Sequence, residues 1–228
     1  MAQDKVGFNA NRLIICLPPC DLPASVEWAI NLSSQYWPFN ISREFASQEG
    51  IGRGEDSDVL KNHQIAYALG IQARYLWFLK NDNLPPSWAV HRFLEAMRRD
   101  PKMMVIAGMC EPNVPETTEF SDDISQVFQD EAGQQFDVLE VNPKGVGFVN
   151  FECTLVNAAV FNHVGDPWFI KPEGYSSEQN FCWKVMEAGY KVCAHTGVYC
   201  GHVDMETGKA HWPEGAVIST AQEPEQVA

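Results

Sequence analysis

Residues 75–86 read Tyr75-Leu76-Trp77-Phe78-Leu79-Lys80-Asn81-Asp82-Asn83-Leu84-Pro85-Pro86, and their reading decides the fold. An unbroken apolar and aromatic run of this length suits a strand covered on both faces. It stops at a cation, a carboxylate and two amides, and Pro85-Pro86 then opens a helix over Trp88 to Arg98. Upstream, Leu13–Leu17 is a second all-apolar strand, stopped by Pro18-Pro19. Between them the pattern predicts a helix within Pro23–Tyr36, an alternating strand over Phe39–Ala46, and a helix from Ser57 or Asp58 to Gly70. That second helix should turn Val59, Ile65, Ala66 and Leu69 inward, with Gly70 as its C′ residue. Met103–Ala107 is a further strand. Repeated strand–helix units imply an α/β fold with a mostly parallel sheet flanked by helices.

The beat breaks after Gly108. Residues 111–135, rich in Glu, Asp, Pro, Thr and Ser, read as a long excursion. Strands are expected at Phe136–Val141 and Phe148–Val156, a short helix at Ala158–Val164, and an amphipathic helix over Ser177–Ala188 ending at Gly189. Tyr190–Ala194 and Val198–Cys200 read as two closing strands, and residues 205–228 as a polar tail. The expectation is a single domain over 1–204, with halves of about 10–110 and 111–204.

Of 228 residues, 30 are acidic and 16 are Lys or Arg, a net charge of −14. That balance argues against a broad nucleic-acid face and against anionic membranes. No apolar run reaches the ~20 residues of a membrane span, and no apolar leader segment is visible. Seven cysteines are an odd number, scattered along the chain, and read as reduced thiols of a cytoplasmic protein.

Lys80-Asn81-Asp82-Asn83 is the most informative polar stretch. A carboxylate at a strand's carboxyl end is placed to meet a ligand, and Mg2+ or Mn2+ takes such oxygens. The alternative reading is an Asx-rich turn joining strand to helix. Cys193-x-His195 and Cys200-x-His202, on two adjacent strands, allow a tetrahedral Cys2His2 site, although buried cysteines more often serve as small apolar residues. Gly50-x-Gly52-x-Gly54 lacks a following Lys-Ser/Thr and reads as a loop, with Arg53 solvated. Trp28, Trp77 and Trp183 read as core, whereas Trp168 offers a ring for stacking on a sugar or acceptor.

With these pieces in order, the chain resembles GT-A glycosyltransferases of the family-2-like type found in bacterial and phage genomes. Tyr75–Pro86 resembles their aromatic strand, acidic motif and Pro-Pro; Leu17-Pro18-Pro19-Cys20-Asp21 resembles the loop that receives the nucleotide base. Lys61-Asn62 stands where that family often has Arg-Asn. Gly145–Phe148 through Phe161, Pro167-Trp168-Phe169, Glu178-Gln179-Asn180-Phe181-Cys182 and Cys200-Gly201-His202 resemble its acceptor-side segments in order. The resemblance implies a GT-A, Rossmann-like nucleotide-sugar-binding sheet with a smaller acceptor-side β element, and transfer of a sugar to an acceptor hydroxyl. It implies donor contacts from Pro18, Asp21, Asn62, Lys80, Asn81 and Asp82, with Mn2+ or Mg2+ held by Asp82 and His202. It places Glu178 and Gln179 at the catalytic base and Trp168 at the acceptor.

Two departures stand out. Lys80 and Asn81 replace acids of the motif, and Gln179 replaces the usual base, although an amide cannot take a proton at neutral pH. Lys80 therefore offers a charge in partial place of the metal, and Glu178 a base shifted by one position. Two further readings stay open. The acceptor is either a glycan or a hydroxymethylated DNA base, the latter served by Arg92, Arg98, Arg99 and Lys102. Alternatively the chain is a catalytically silent nucleotide- or sugar-binding module.

Overall fold

The computed structural model describes residues 9–17, 26–37, 42–46, 57–110, 120–129, 135–142, 147–204 and 206–212. The chain runs β1 (Asn9–Cys16), α1 (Val26–Ser33), β2 (Ser42–Phe45), α2 (Ser57–Gly70), β3 (Ala73–Leu79), β4 (Asn83–Leu84), α3 (Ala89–Arg99) and β5 (Met103–Cys110). It continues through β6 (Phe120–Gln129), β7 (Gln135–Val141), β8 (Cys153–Asn157), a 3-10 turn (Ala158–Asn162), α4 (Ser177–Glu187), β9 (Lys191–Val203) and β10 (Ala210–His211).

Strand residues alternate between faces, so an all-apolar strand fills two cores. Leu13, Ile15, Trp77, Leu79 and Ile106 join Val90, Phe93 and Met97 of α3 in one core. Ile14, Leu76, Phe78 and Val105 join Ile65 of α2 and Phe181 and Val185 of α4 in the other. That two-sided burial is what the sequence of β3 encodes.

The sheet is mixed rather than mostly parallel. Its order is β2-β1-β3-β8-β5-β9-β7-β6, with β4 and β10 on β9. The β1–β2, β1–β3 and β5–β9 pairings are parallel. The β3–β8, β5–β8, β7–β9 and β6–β7 pairings are antiparallel. Helical crossovers, which enforce parallel neighbours, end at β5; beyond it a hairpin and returning strands govern.

Other expectations are corrected locally. Ten residues of the excursion at 111–135 form β6, an edge strand. Strand 148–156 is shorter, since 147–150 are irregular and pairing starts at Cys153. The two closing strands are one, β9, with an irregularity between His195 and Tyr199. Within the polar tail, β10 pairs with β9; residues 213–228 lie outside the described residues. Helix α2 turns Leu60, Gln64, Ile65 and Ala68 inward; of the expected set Ile65 is buried and Leu69 half-buried, whereas Val59 and Ala66 are exposed. Its left-handed residue is Gln72 (φ 59°), not Gly70. Gly189 does take a left-handed conformation (φ 84°) after α4.

Candidate functional site

The turn after β3 is fixed from four directions. The Lys80 amide donates to Glu152 O at 2.8 Å, and Lys80 O accepts from Asn83 N at 3.2 Å and Trp28 Nε1 at 3.1 Å. Asp82 O accepts from Val203 N at 2.7 Å, and Asn83 pairs with His202 across β4–β9. Asn83 Nδ2 donates to Glu152 O and to the Cys110 sulfur beneath it. Asn31 of α1 and Gln35, just past its end, hold the exit, both donating to Pro85 O. The Asx-rich stretch is thus a turn, as its composition favours, and also a rigid mount for three charged groups.

On that mount Lys80 Nζ lies 3.1 Å from Asp82 Oδ2 and 3.4 Å from Glu152 Oε1. His202 Nε2 lies 3.1 Å from the same Asp82 oxygen. Burial pulls the Lys80 pKa down, but Glu152 and Asp82 outweigh it and leave it above the ordinary value. The other Asp82 oxygen, Oδ1, is buried without a hydrogen-bond partner among the described residues. An orphaned buried carboxylate oxygen is costly unless a ligand supplies a donor or a charge. Asn81 is buried beside it.

A second cluster joins α2 to α4. Lys61 Nζ bonds Glu178 Oε1 and lies 3.7 Å from Asp58 Oδ1. Ser177 Oγ donates to Asp58 Oδ1 at 2.5 Å and stands 3.1 Å from Glu178 Oε2. Ser176 caps α4 by accepting from Gln179 N. Burial raises the Glu178 pKa, but the Lys61 charge and hydrogen bonds outweigh it, holding the carboxyl below its ordinary range. Glu178 is therefore an ionised but weak base. Between the clusters lie Phe78, Phe151 and Phe169, with ring centroids 4.9–5.9 Å apart, and Phe169 stacks on Phe181 at 4.8 Å.

The structure brings Lys80, Asn81, Asp82 and His202 together and adds Glu152, which sequence reasoning passed over as a mid-strand residue. The only signal was a charge inside the apolar run Phe148–Val156. Asn62 sits elsewhere: its Nδ2 donates to Phe169 O at 2.7 Å and its Oδ1 accepts from Phe169 N at 2.9 Å, so its amide braces that loop. Trp168 is half-buried with its edge on Phe161, donating to Phe161 O. Trp183 is half-buried against Tyr175 rather than in the core. Pro18, Asp21, Cys20 and the Gly50–Gly54 loop with Arg53 lie outside the described residues.

The Cys2His2 expectation fails on topology. All four residues lie on β9 and go to different surroundings. Cys193 is in the core with its pKa pushed up by burial to about 12. Cys200 is buried opposite Cys110, its partner in register. His195 Nδ1 accepts from Gly197 N, and His202 meets Asp82. Of the basic cluster, Arg92 stacks 3.5 Å from the Trp88 centroid and 4.1 Å from that of Phe136 and Arg99 pairs with Glu95, while Arg98 and Lys102 are exposed.

A divalent cation fits the residues at the turn poorly. The carboxylates that would ligate it already hold the Lys80 ammonium. At ~4 Å and an effective dielectric of ~20, unit charges repel by about 4 kcal/mol, and a divalent ion by roughly twice that. Among the described residues no group of three or more His, Cys, Asp and Glu has an arrangement suited to a metal ion. A cavity of about 390 Å³ between α1 and the β1–β2 edge, lined by Trp28, Leu32, Trp37, Phe45 and Arg43, is mainly apolar and lacks these charged groups.

No protein-family model and no curated protein sequence matches the chain. Solved structures do. The chain is similar to A197 from STIV, with a TM-score of 0.58 at 12% identity over 89% of this chain and 93% of that one. It is also similar to S. aureus TarS 1-349, with a TM-score of 0.50 at 11% identity over 81% of this chain and 57% of that one. At such identity the likeness shows the fold alone, which is GT-A-like. No helix among the described residues is long and apolar enough to cross a membrane.

Proposed function

We propose that this chain is a glycosyltransferase taking a nucleotide-activated sugar, with the donor diphosphate seated at the turn after β3. The observation that carries the reading is Asp82. It is 8% exposed, shares one oxygen with Lys80 and His202, and leaves the other without a partner, all at the carboxyl end of a β-strand. The GT-A-like fold supports the same placement.

In the proposed reaction the acceptor hydroxyl oxygen bonds to the anomeric carbon of the sugar. The bond from that carbon to the diphosphate oxygen breaks, and its electron pair leaves with the nucleoside diphosphate. The Lys80 ammonium stabilises that leaving charge, and Asp82 Oδ1 accepts a hydrogen bond from a donor hydroxyl. Glu178 is the proposed acceptor of the hydroxyl proton. Its lowered pKa makes it a weak base, so it takes that proton as the new bond forms rather than before. Asn62 and Trp168 contribute by fixing the 167–169 loop.

The acceptor is proposed as a glycan hydroxyl rather than a hydroxymethylated DNA base, because Arg92 is stacked between rings and Arg99 is paired. The test is release of nucleoside diphosphate from a panel of nucleotide sugars, followed chromatographically. Turnover with at least one donor is expected, falling by ~10²-fold or more in Asp82→Asn, the scale of losing one charged transition-state contact. Equal turnover in that variant would sink the assignment. Nucleotide-sugar binding with no turnover across donors and acceptors would favour the silent binding module, to which Gln179 and the weak basicity of Glu178 already lend weight.

A further inference from the structure

We infer that Lys80, clamped by Asp82 and Glu152, takes the place of a divalent cation at the donor diphosphate, so that the chain binds its donor without metal. This rests on the donor reading above and assigns Glu152 as a positioning residue. Three observations carry it. First, the cation is built in. Lys80 Nζ is 3.1 Å from Asp82 and 3.4 Å from Glu152, at the carboxylates a metal would use. Second, it is rigidly mounted, because the Lys80 amide donates to the main-chain carbonyl of Glu152 and its own carbonyl accepts from Trp28. Glu152 therefore fixes both ends of the same lysine. Third, it is accessible. The Lys80 side chain is 34% exposed, and its ammonium has three N–H donors, of which the carboxylates engage two. The third is available to a phosphoryl oxygen.

A metal-dependent site has empty carboxylates that the ion bridges to the diphosphate. Here the bridge is covalently part of the chain.

The experiment titrates UDP, GDP, ADP and dTDP separately into the full chain by calorimetry, in excess EDTA and then in excess Mn2+. Mn2+ binding in the absence of nucleotide is followed by electron paramagnetic resonance. For the wild type, binding of at least one nucleoside diphosphate is expected in EDTA, changed by less than ~3-fold by Mn2+. Lys80→Met should weaken binding in EDTA by ~10–100-fold, the worth of one charged hydrogen bond. The wild type should bind no Mn2+ in the absence of nucleotide. Lys80→Arg, which keeps the charge, should retain metal-free binding. Glu152→Gln should weaken metal-free binding less than Lys80→Met does. Wild-type binding that requires Mn2+, or equal affinity of wild type and Lys80→Met in EDTA, overturns the inference while leaving the donor reading intact. Absence of binding by every nucleotide in both conditions overturns both.

Discussion

Two lysines in this molecule are each held between two carboxylates, and their surroundings differ. Lys61 joins Asp58 and Glu178 between two helices, with its side chain 12% exposed. Its partners are further tied by Ser177, and its ammonium lies over the Phe169 ring. Lys80 joins Asp82 and Glu152 at the end of a strand, 34% exposed, and one Asp82 oxygen is left over. The same trio of charges is more enclosed between α2 and α4, whereas at the turn after β3 one carboxylate oxygen has no partner among the described residues, as the proposed donor site requires. Residue type does not separate them; exposure and the unmet hydrogen bond do.

The comparison can be broken in several ways. The largest effect is expected from Phe169→Ala, which removes the ring stacked on Phe181 and packed against Phe78 and Phe151 between the clusters. Loss of a buried Phe side chain costs ~3–5 kcal/mol, which denaturant unfolding would register. A loss below ~1 kcal/mol would mean the two clusters are not joined by a packed core. Next, Lys61→Met should destabilise by ~2–4 kcal/mol, because two mostly buried carboxylates lose their counter-charge. Lys80→Met should cost less than Lys61→Met, since the Lys80 ammonium is a third exposed and screened and Asp82 keeps His202 as a partner. Equal losses in the two variants would erase the distinction between the two clusters.

A smaller effect separates the cores by pH. His195 is fully buried, and burial, with Arg92 nearby, lowers its pKa to about 3. The unfolded chain binds this proton near pH 6.5 and the folded chain does not. The stabilisation is therefore complete above that pH and is lost as pH falls from ~6.5 toward 3, by at most ~1.4 kcal/mol per unit. Glu178 acts in the same direction at lower pH, because its folded pKa is depressed. Stability curves between pH 7 and 4 should slope accordingly, and His195→Gln should flatten the upper part. An unchanged slope in that variant would exclude His195 as its source.

Much of the first half was legible from sequence because β1, β3 and β5 carry apolar runs that fill both faces and the helices are bounded by Pro, Ser or Gly. β6 was not. Its stretch, Phe120–Gln129, is mostly polar, as befits an edge strand, and resembles a loop. The antiparallel insertion of β8 between β3 and β5 is a matter of chain routing that no local pattern carries. In the site, Asp82 and Lys80 were visible because they end an apolar strand. Glu152 was not, because its partner is 72 positions away and its own surroundings read as strand. The Asp82–His202 pairing came from resemblance, and the Cys2His2 alternative came from counting two strands where there is one.

Hydrogen exchange with and without a bound nucleotide sugar tests the central claim most directly, because it reports on both lysine clusters in one experiment. Ligand protection is expected at the amides of residues 80–84, 150–153 and 201–203, with smaller changes at 58–62 and 176–180. Protection confined to the α2–α4 cluster, with the turn after β3 exchanging as in the free protein, would contradict the account.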